Sequence, residues 1–97
     1  MADFNPTHPG EVLIEDFLKP LGMSQYALAK AIGVPQIRVS EIVRGARAVT
    51  PDTALRLARY FRTSPEFWLG MQATYDLETA RDEVGAQIEA EIEPRAA

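Results

Sequence analysis

Apolar residues recur at helical spacing along most of the chain, and no stretch alternates as a half-buried strand would. The pattern predicts five helices, each opened by a capping residue or a proline. Their predicted starts lie at Pro9, Ser24, Pro35, Thr50-Pro51 and Ser64-Pro65. The predicted fold class is therefore all-α.

Glycines and prolines also predict where helices end. Pro20 and Gly22 are expected to end the first helix, and Gly33 to close the second with a sharp turn. The inward positions predicted in the last three helices are Val34, Val39, Ile42, Leu55, Ala58, Phe61, Phe67 and Trp68. The chain is expected to divide into an irregular arm (residues 1–8), a helical domain (9–80) with a helix-turn-helix at 24–45, and an acidic extension (81–97).

The composition is typical of a soluble globular protein of one domain, with 97 residues, 46% of them hydrophobic and 25% charged. No cysteine is present, which excludes disulfides and thiolate metal sites. The chain has no apolar run of the roughly 20 residues needed to span a membrane, and its start lacks the features of a signal peptide. A cytoplasmic location is expected.

The net charge of −4 argues against a nucleic-acid partner until its distribution is considered. Residues 19–62 hold eight basic and two acidic side chains, a net charge of +6. Residues 1–18 carry −4 and residues 63–97 carry −6. The middle of the chain is therefore suited to meet phosphates, and the two ends to meet a basic partner.

The stretch Ser24–Gly45 is typical of a helix-turn-helix, in which the second helix enters the major groove of DNA. Base contacts are predicted from outward side chains of that helix. Gln36 suits adenine, Arg38 guanine or a phosphate, Ile37 a thymine methyl group and Glu41 a cytosine amino group. Phosphate contacts are predicted from Gln25, Ser40, Arg44 and Arg47.

Several segments of the chain resemble one family of repressors. The runs QYALAKAIGV (25–34) and VSEIVRG (39–45) are similar to the lambda-repressor-like (XRE) helix-turn-helix. The runs HPGE (8–11), PLGMSQ (20–25), TALRLA (53–58), TSPEFWL (63–69) and YDL (75–77) are similar to HigA/VapI antitoxins. The resemblance covers roughly residues 7–80, with its pieces in order at the right spacing. Ala46 departs from the family pattern, because many relatives carry a basic residue there. One expected phosphate contact is therefore weakened, and Arg47 is the residue left to make it.

The resemblance implies a lambda-repressor-like domain that acts as the antitoxin of a type II toxin–antitoxin pair. Such a protein binds a RelE-like toxin that cleaves mRNA on the ribosome, and it represses the shared operon as a dimer. A stand-alone or phage-type repressor without a toxin is the alternative, because its DNA-reading residues would be the same. A helical interaction module that never touches DNA is a second alternative.

Two protein-binding surfaces are predicted as well. A single helix-turn-helix buries little surface on DNA, so a symmetric dimer is expected, with an interface at Met71, Tyr75 and Leu77. A basic toxin calls for an acidic surface, and the first helix with its approach is preferred. The residues of that surface are Asp3, Glu11, Glu15 and Asp16; the other candidate is the acidic tail with Asp82, Glu83, Glu89, Glu91 and Glu93.

No pattern of an enzyme, a cofactor site or a metal site is present in the sequence. The single histidine, His8, precedes a proline and is predicted to act at the start of a helix. Zinc-protease motifs, glycine-rich phosphate loops and nucleophile–base pairs are missing, and the acidic tail lacks calcium-loop spacing. The chain is expected to bind macromolecules and to catalyse no reaction.

Overall fold

The computed structural model describes residues 6–96, which fold into five helices. Helix α1 covers residues 9–21 and is continuous through Pro9–Val12, Leu13–Leu18 and Lys19–Leu21. Helices α2, α3 and α4 are Gln25–Ile32, Gln36–Val43 and Pro51–Phe61. Helix α5 covers residues 65–91 through Pro65–Ala80, Arg81–Gly85 and Ala86–Glu91. The all-α, five-helix prediction is confirmed, with no strand in the described part of the chain.

The prediction that Pro20 ends the first helix is wrong. The helix runs on to Leu21 and ends at Gly22, whose φ of 62° is left-handed. Its middle turn, Leu13–Leu18, is π-helical, and the Lys19 N–H donates to the Ile14 carbonyl five residues back. The wider turn accommodates a proline that has no N–H to donate to the preceding turn.

A single apolar core holds the five helices together. Trp68 lies at its centre, fully buried, and its indole N–H donates to the Thr63 hydroxyl at 2.8 Å. Phe17 packs on Trp68 and on Phe61, with ring centroids 5.1 and 4.8 Å apart. The other fully or nearly fully buried apolar residues are Leu13, Leu18, Leu28, Ala29, Ile32, Val39, Ile42, Val49, Ala54, Leu57 and Ala58.

Two predicted core positions lie elsewhere. Leu55 is 60% exposed, because the buried face of α4 is formed by Thr53, Ala54, Leu57 and Ala58. The small residues on that face give a weaker hydrophobic signal in the sequence than the larger leucine does. The other two predicted positions of this helix are confirmed, since Ala58 is buried and Phe61 packs against the core. Phe67 is 40% exposed, although its ring lies beside those of Phe17 and Trp68.

The start of α1 packs directly on the end of α3. A Cβ atom placed on Gly10 would lie 1.7 Å from the Ile42 carbonyl oxygen, so only glycine fits. The close approach fixes α3 against α1 from the side opposite its outward face. The position of the second helix of the motif thus depends on a residue 26 positions before that helix starts.

The last turns of α5 extend away from the core. No side chain is buried in the described residues after Gln72. Val84, Ile88 and Ile92 are exposed, and the molecule reaches 53 Å along its longest axis. In residues 6–96, no helix is long and apolar enough to cross a membrane.

Candidate DNA-binding surface

The motif at residues 24–45 is built by local signals that the chain itself supplies. The Ser24 hydroxyl accepts from the Ala27 N–H at 3.0 Å and caps α2. Gly33, at φ 72°, ends α2, and the Val34 N–H donates back to the Ala29 carbonyl at 3.0 Å. Pro35 then opens α3. Two helices of eight residues are thus joined by a three-residue turn.

The outward face of α3 begins with two side chains that the rest of the fold leaves uncovered. Gln36 is exposed, and Ile37 is 60% exposed although it is a large aliphatic residue. Val39 and Ile42, on the opposite face, are buried in the core. An amide and a methyl-rich side chain are therefore presented together at the first turn of the helix.

Arg38, a predicted base reader, is held by a carboxylate on α4. Its Nη1 lies 2.9 Å from Oδ2 of Asp52, and its side chain is only 29% exposed. Arg56 donates from Nε to the same oxygen at 2.9 Å. These two guanidinium groups lower the pKa of the Asp52 carboxyl below its ordinary value, Arg56 having the larger effect.

Glu41 and Arg47, predicted to contact a base and a phosphate, are bonded to each other. Nε and Nη2 of Arg47 lie 2.8 and 2.7 Å from Oε1 of Glu41. The backbone N–H groups of Ala46 and Arg47 also donate to the Glu41 carbonyl. This network anchors the loop after α3 to the helix and neutralises both charges in the free protein.

The other predicted phosphate contacts lie around the same surface. Gln25 is the first residue of α2 and is half-buried, and Ser40 is half-buried on α3. Arg44 is exposed, and within residues 6–96 it forms no ion pair. Its cation is therefore available to a phosphate oxygen.

Sequence reasoning missed Asp52 and Arg56, which tie α4 to the motif. Nη1 of Arg56 donates to the Ile32 and Gly33 carbonyls at 2.8 and 3.3 Å, at the end of α2. No signal in the sequence marks these contacts, because they join residues 14 to 24 positions apart.

Several known proteins share this fold and have similar sequences. The family model described as helix-turn-helix matches residues 14–68. Virulence-associated protein I of Dichelobacter nodosus is 54% identical over 76 residues, which are 78% of this chain and 70% of that protein. Antitoxin HigA-1 of Vibrio cholerae is 39% identical over 77 residues, 79% of this chain and 72% of that protein. The structure of Pseudomonas aeruginosa antitoxin HigA with the higBA promoter has 47% identity and a TM-score of 0.92, and covers 95% of this chain and 100% of that one.

The chain belongs to the HigA family of helix-turn-helix antitoxins. This confirms the family that the sequence runs indicated, and it confirms the predicted lambda-repressor-like fold. HigA proteins are DNA-binding and non-enzymatic, which confirms the expectation that the chain is not an enzyme. In the described residues no three histidine or acidic side chains cluster as a metal site would require.

The predicted dimer residues of this HigA-family chain differ in their surroundings. Leu77 is 52% exposed, and Met71 is half-buried against the core. Tyr75 is also half-buried, and its ring meets that of His8 edge-on, with centroids 4.9 Å apart. Met71 and the exposed Phe67 line an apolar groove of about 360 Å³ with Pro6, Thr7, Gly70, Thr74 and Glu78.

The predicted toxin-binding residues lie on the outer face of α1, apart from one. Glu11 and Asp16 are exposed. Glu15 is exposed too and pairs with Lys19 at 2.8 Å. Asp3 lies outside the described residues.

His8 has the role at a helix start that its position predicted. Its Nδ1 accepts from the Gly10 N–H at 2.9 Å and caps α1. Burial lowers the pKa of His8 below its ordinary value, against the opposing effects of the Asp76 charge and a hydrogen bond to the Arg47 backbone. The neutral ring therefore links α1, the loop after α3 and the middle of α5.

Proposed function

We propose that the protein is the antitoxin of a type II toxin–antitoxin pair, acting in the cytoplasm. It represses its own operon by binding operator DNA as a dimer, and it neutralises a basic, RelE-like toxin that cleaves mRNA. The observation that carries the DNA-binding part is the uncovered first turn of α3, with Gln36 and the 60% exposed Ile37, inside a segment of net charge +6. The structure of a similar protein, antitoxin HigA of Pseudomonas aeruginosa, contains the higBA promoter.

Sequence is read by the first turns of α3 in this proposal. Gln36 pairs with adenine, and Ile37 contacts a thymine methyl group. Arg38 and Glu41 also contact bases. Each is bonded to another side chain in the free protein, so each must bind DNA while it keeps that bond or after the bond opens. Gln25, Ser40, Arg44 and Arg47 bind phosphates and set the register of the helix in the groove.

Two features support a dimer: one motif reads too short a DNA sequence, and α5 carries apolar side chains that a second copy can cover. One helix-turn-helix reads only half of a symmetric site, so two copies are needed on half-sites about one helical turn apart. Leu77 and Met71 supply apolar surface for such a contact, with Tyr75 beside them. The axis that relates the two copies would then pass near the middle of α5.

Two properties of the first helix support it as the toxin-binding surface: its acidic charge and its folded structure. Toxins of this type bind RNA and are basic, so they are complementary to the acidic face of α1 with Glu11, Glu15 and Asp16. That face belongs to a helix packed on the core, whereas no side chain of the acidic tail is buried in its described part, up to residue 96. A folded surface loses less conformational entropy on binding than a tail does.

The base-reading assignment predicts different effects for two residues of the same surface. We expect Gln36→Ala to weaken binding to the operator by about 1–3 kcal/mol and to leave binding to unrelated DNA unchanged. Arg44→Ala should weaken binding to both alike and reduce the salt dependence, because a phosphate contact carries no sequence information. Fluorescence anisotropy with labelled duplexes measures both. An equal loss on every sequence for Gln36→Ala would contradict its role as a base reader.

The toxin assignment is tested with the product of the neighbouring gene. Charge reversal at Glu11 and Asp16 should reduce co-purification with the toxin and spare operator binding. Deletion of residues 82–97 should leave both intact. Loss of toxin binding only in the deletion would place the toxin on the tail, and the lack of any toxin gene beside this one would favour a stand-alone repressor.

A further inference from the structure

A chain of polar contacts links the end of α2 to the recognition helix through α4. Arg56 donates from Nη1 to the Ile32 carbonyl at 2.8 Å and from Nε to Oδ2 of Asp52 at 2.9 Å. The same Oδ2 atom accepts from Nη1 of Arg38 at 2.9 Å. One carboxylate oxygen thus fixes the relative position of two guanidinium groups, and one of these lies on the helix that reads DNA.

Stability alone is a weak reason for this arrangement. Asp52 is 58% exposed and Arg56 is 40% exposed, and ion pairs at such exposed, solvent-screened sites contribute little to folding. A carboxylate beside a DNA-binding surface also repels phosphates, which lowers the affinity for every sequence. Asp52 therefore lowers the affinity for DNA, and its small contribution to folding stability does not explain why it is there.

The arrangement has a clear effect on Arg38. A free arginine side chain loses rotamer entropy when it is fixed on a base. The bond to Asp52 holds it in place beforehand through only one of its five N–H donors. Arg38 is thus oriented before DNA arrives, and its charge is partly balanced against non-specific attraction to phosphates.

We propose that Asp52 is a positioning residue for operator recognition: it holds Arg38 on the surface of α3 and so raises discrimination between the operator and other sequences. Arg56 supports Asp52 by anchoring it to the end of α2. This inference rests on the proposed operator binding, and it assigns a role in specificity to a residue that does not itself read bases.

The proposal predicts opposite effects of Asp52→Asn on two affinities. Binding to random DNA becomes tighter because a negative charge is removed, and the preference for the operator falls by about fivefold or more because Arg38 is no longer held. A purely electrostatic role would tighten binding to both DNAs equally and leave the preference unchanged. A purely structural role would weaken binding to both and lower the melting temperature.

The experiment measures dissociation constants of the full chain for its upstream operator, for every single-base-pair variant of it and for random DNA, at one salt concentration. The proteins are the unchanged chain, Asp52→Asn, Arg38→Ala, the double variant and Glu66→Gln, an exposed control with the same change of charge. We expect Asp52→Asn to flatten the preference at the base pair that Arg38→Ala also flattens. In the Arg38→Ala background it should cause no further loss of preference, and Glu66→Gln should leave the preference unchanged.

Three results would overturn the proposal. The preference survives in Asp52→Asn, it falls equally in Glu66→Gln, or it falls again when Asp52→Asn is added to Arg38→Ala. Melting temperatures accompany each variant, and Asp52→Glu, which keeps the charge and shifts the carboxylate by one methylene group, should flatten the same base pair if Asp52→Asn does not fold. If the unchanged chain does not prefer the operator, operator binding itself fails; if it does and Asp52→Asn matches it, only the role of Asp52 fails.

Discussion

The helix-turn-helix and the second half of α5 are built in opposite ways. Residues 24–45 begin at the Ser24 cap, turn at Gly33 and contribute five side chains to the core, and they lie within a segment of net charge +6. Beyond Ala80, α5 carries no buried side chain in the described residues and lies within a segment of net charge −6. The first region is ordered before it meets a partner, which suits a surface that must match base edges. The second offers charge and exposed aliphatic side chains without packing of its own.

The strongest test of this contrast removes one large side chain from the centre of the core and one from the end of α5. Trp68→Ala empties the centre of the core and removes the hydrogen bond to Thr63, so we expect a loss of about 3–5 kcal/mol in the free energy of unfolding. Ile88→Ala should change it by less than about 0.5 kcal/mol. Urea denaturation at matched protein concentration measures both. A comparable loss for Ile88→Ala would show that the end of α5 belongs to the cooperative fold.

Two glycines, one packed against the end of the helix-turn-helix and one with open space around it, test the close packing of the motif through a single added methyl group. Gly10→Ala places Cβ against the Ile42 carbonyl and forces α1 away from α3, which should cost about 2–3 kcal/mol and weaken operator binding. Gly70→Ala meets no atom within 4 Å and lies inside a helix, so it should stabilise the chain by about 0.5–1 kcal/mol. Thermal unfolding followed by circular dichroism gives both values. If the two variants had equal stability, the close packing of α1 on α3 would be wrong.

A smaller effect is expected from His8, which links α1, the loop after α3 and the middle of α5. The folded state lowers the pKa of His8, so the unfolded chain binds more protons at mildly acidic pH. Its contribution to stability is then complete above about pH 6.5 and is lost as pH falls through the lowered pKa. A proton on Nδ1 also removes the acceptor for the Gly10 N–H. We expect the free energy of unfolding to decline between pH 7 and 5, and His8→Asn, which keeps a capping oxygen, to remove that part of the decline. A stability profile that is the same in both proteins would exclude His8 as its cause.

The helices could be predicted from the sequence because their limits are set by local signals. Ser24 and Gly33 act within a turn of their own positions, and each has the predicted role. The π-helical turn around Pro20 and the burial of Ala54 in place of Leu55 could not be predicted, because they depend on how helices pack together.

The chemistry of the DNA-binding surface was predicted less completely than its location. The outward position of Gln36 and Ile37 followed from the phase of α3 and from the turn before it. The two ion pairs that engage Arg38 and Glu41 were not foreseen, because their partners come from α4 and from the loop after α3. Side-chain partners across helices are set by tertiary packing, which sequence spacing does not encode.

The central claim is that residues 24–45 read a specific DNA sequence, and one binding measurement tests it directly. The full chain is titrated into labelled duplexes of its own upstream region and of the same bases in scrambled order, at 50 and 200 mM salt. We predict at least about a thousandfold preference for the natural sequence and a steep loss of affinity for both duplexes at the higher salt. Equal affinity for the two duplexes, or binding that does not change with salt, would contradict the claim.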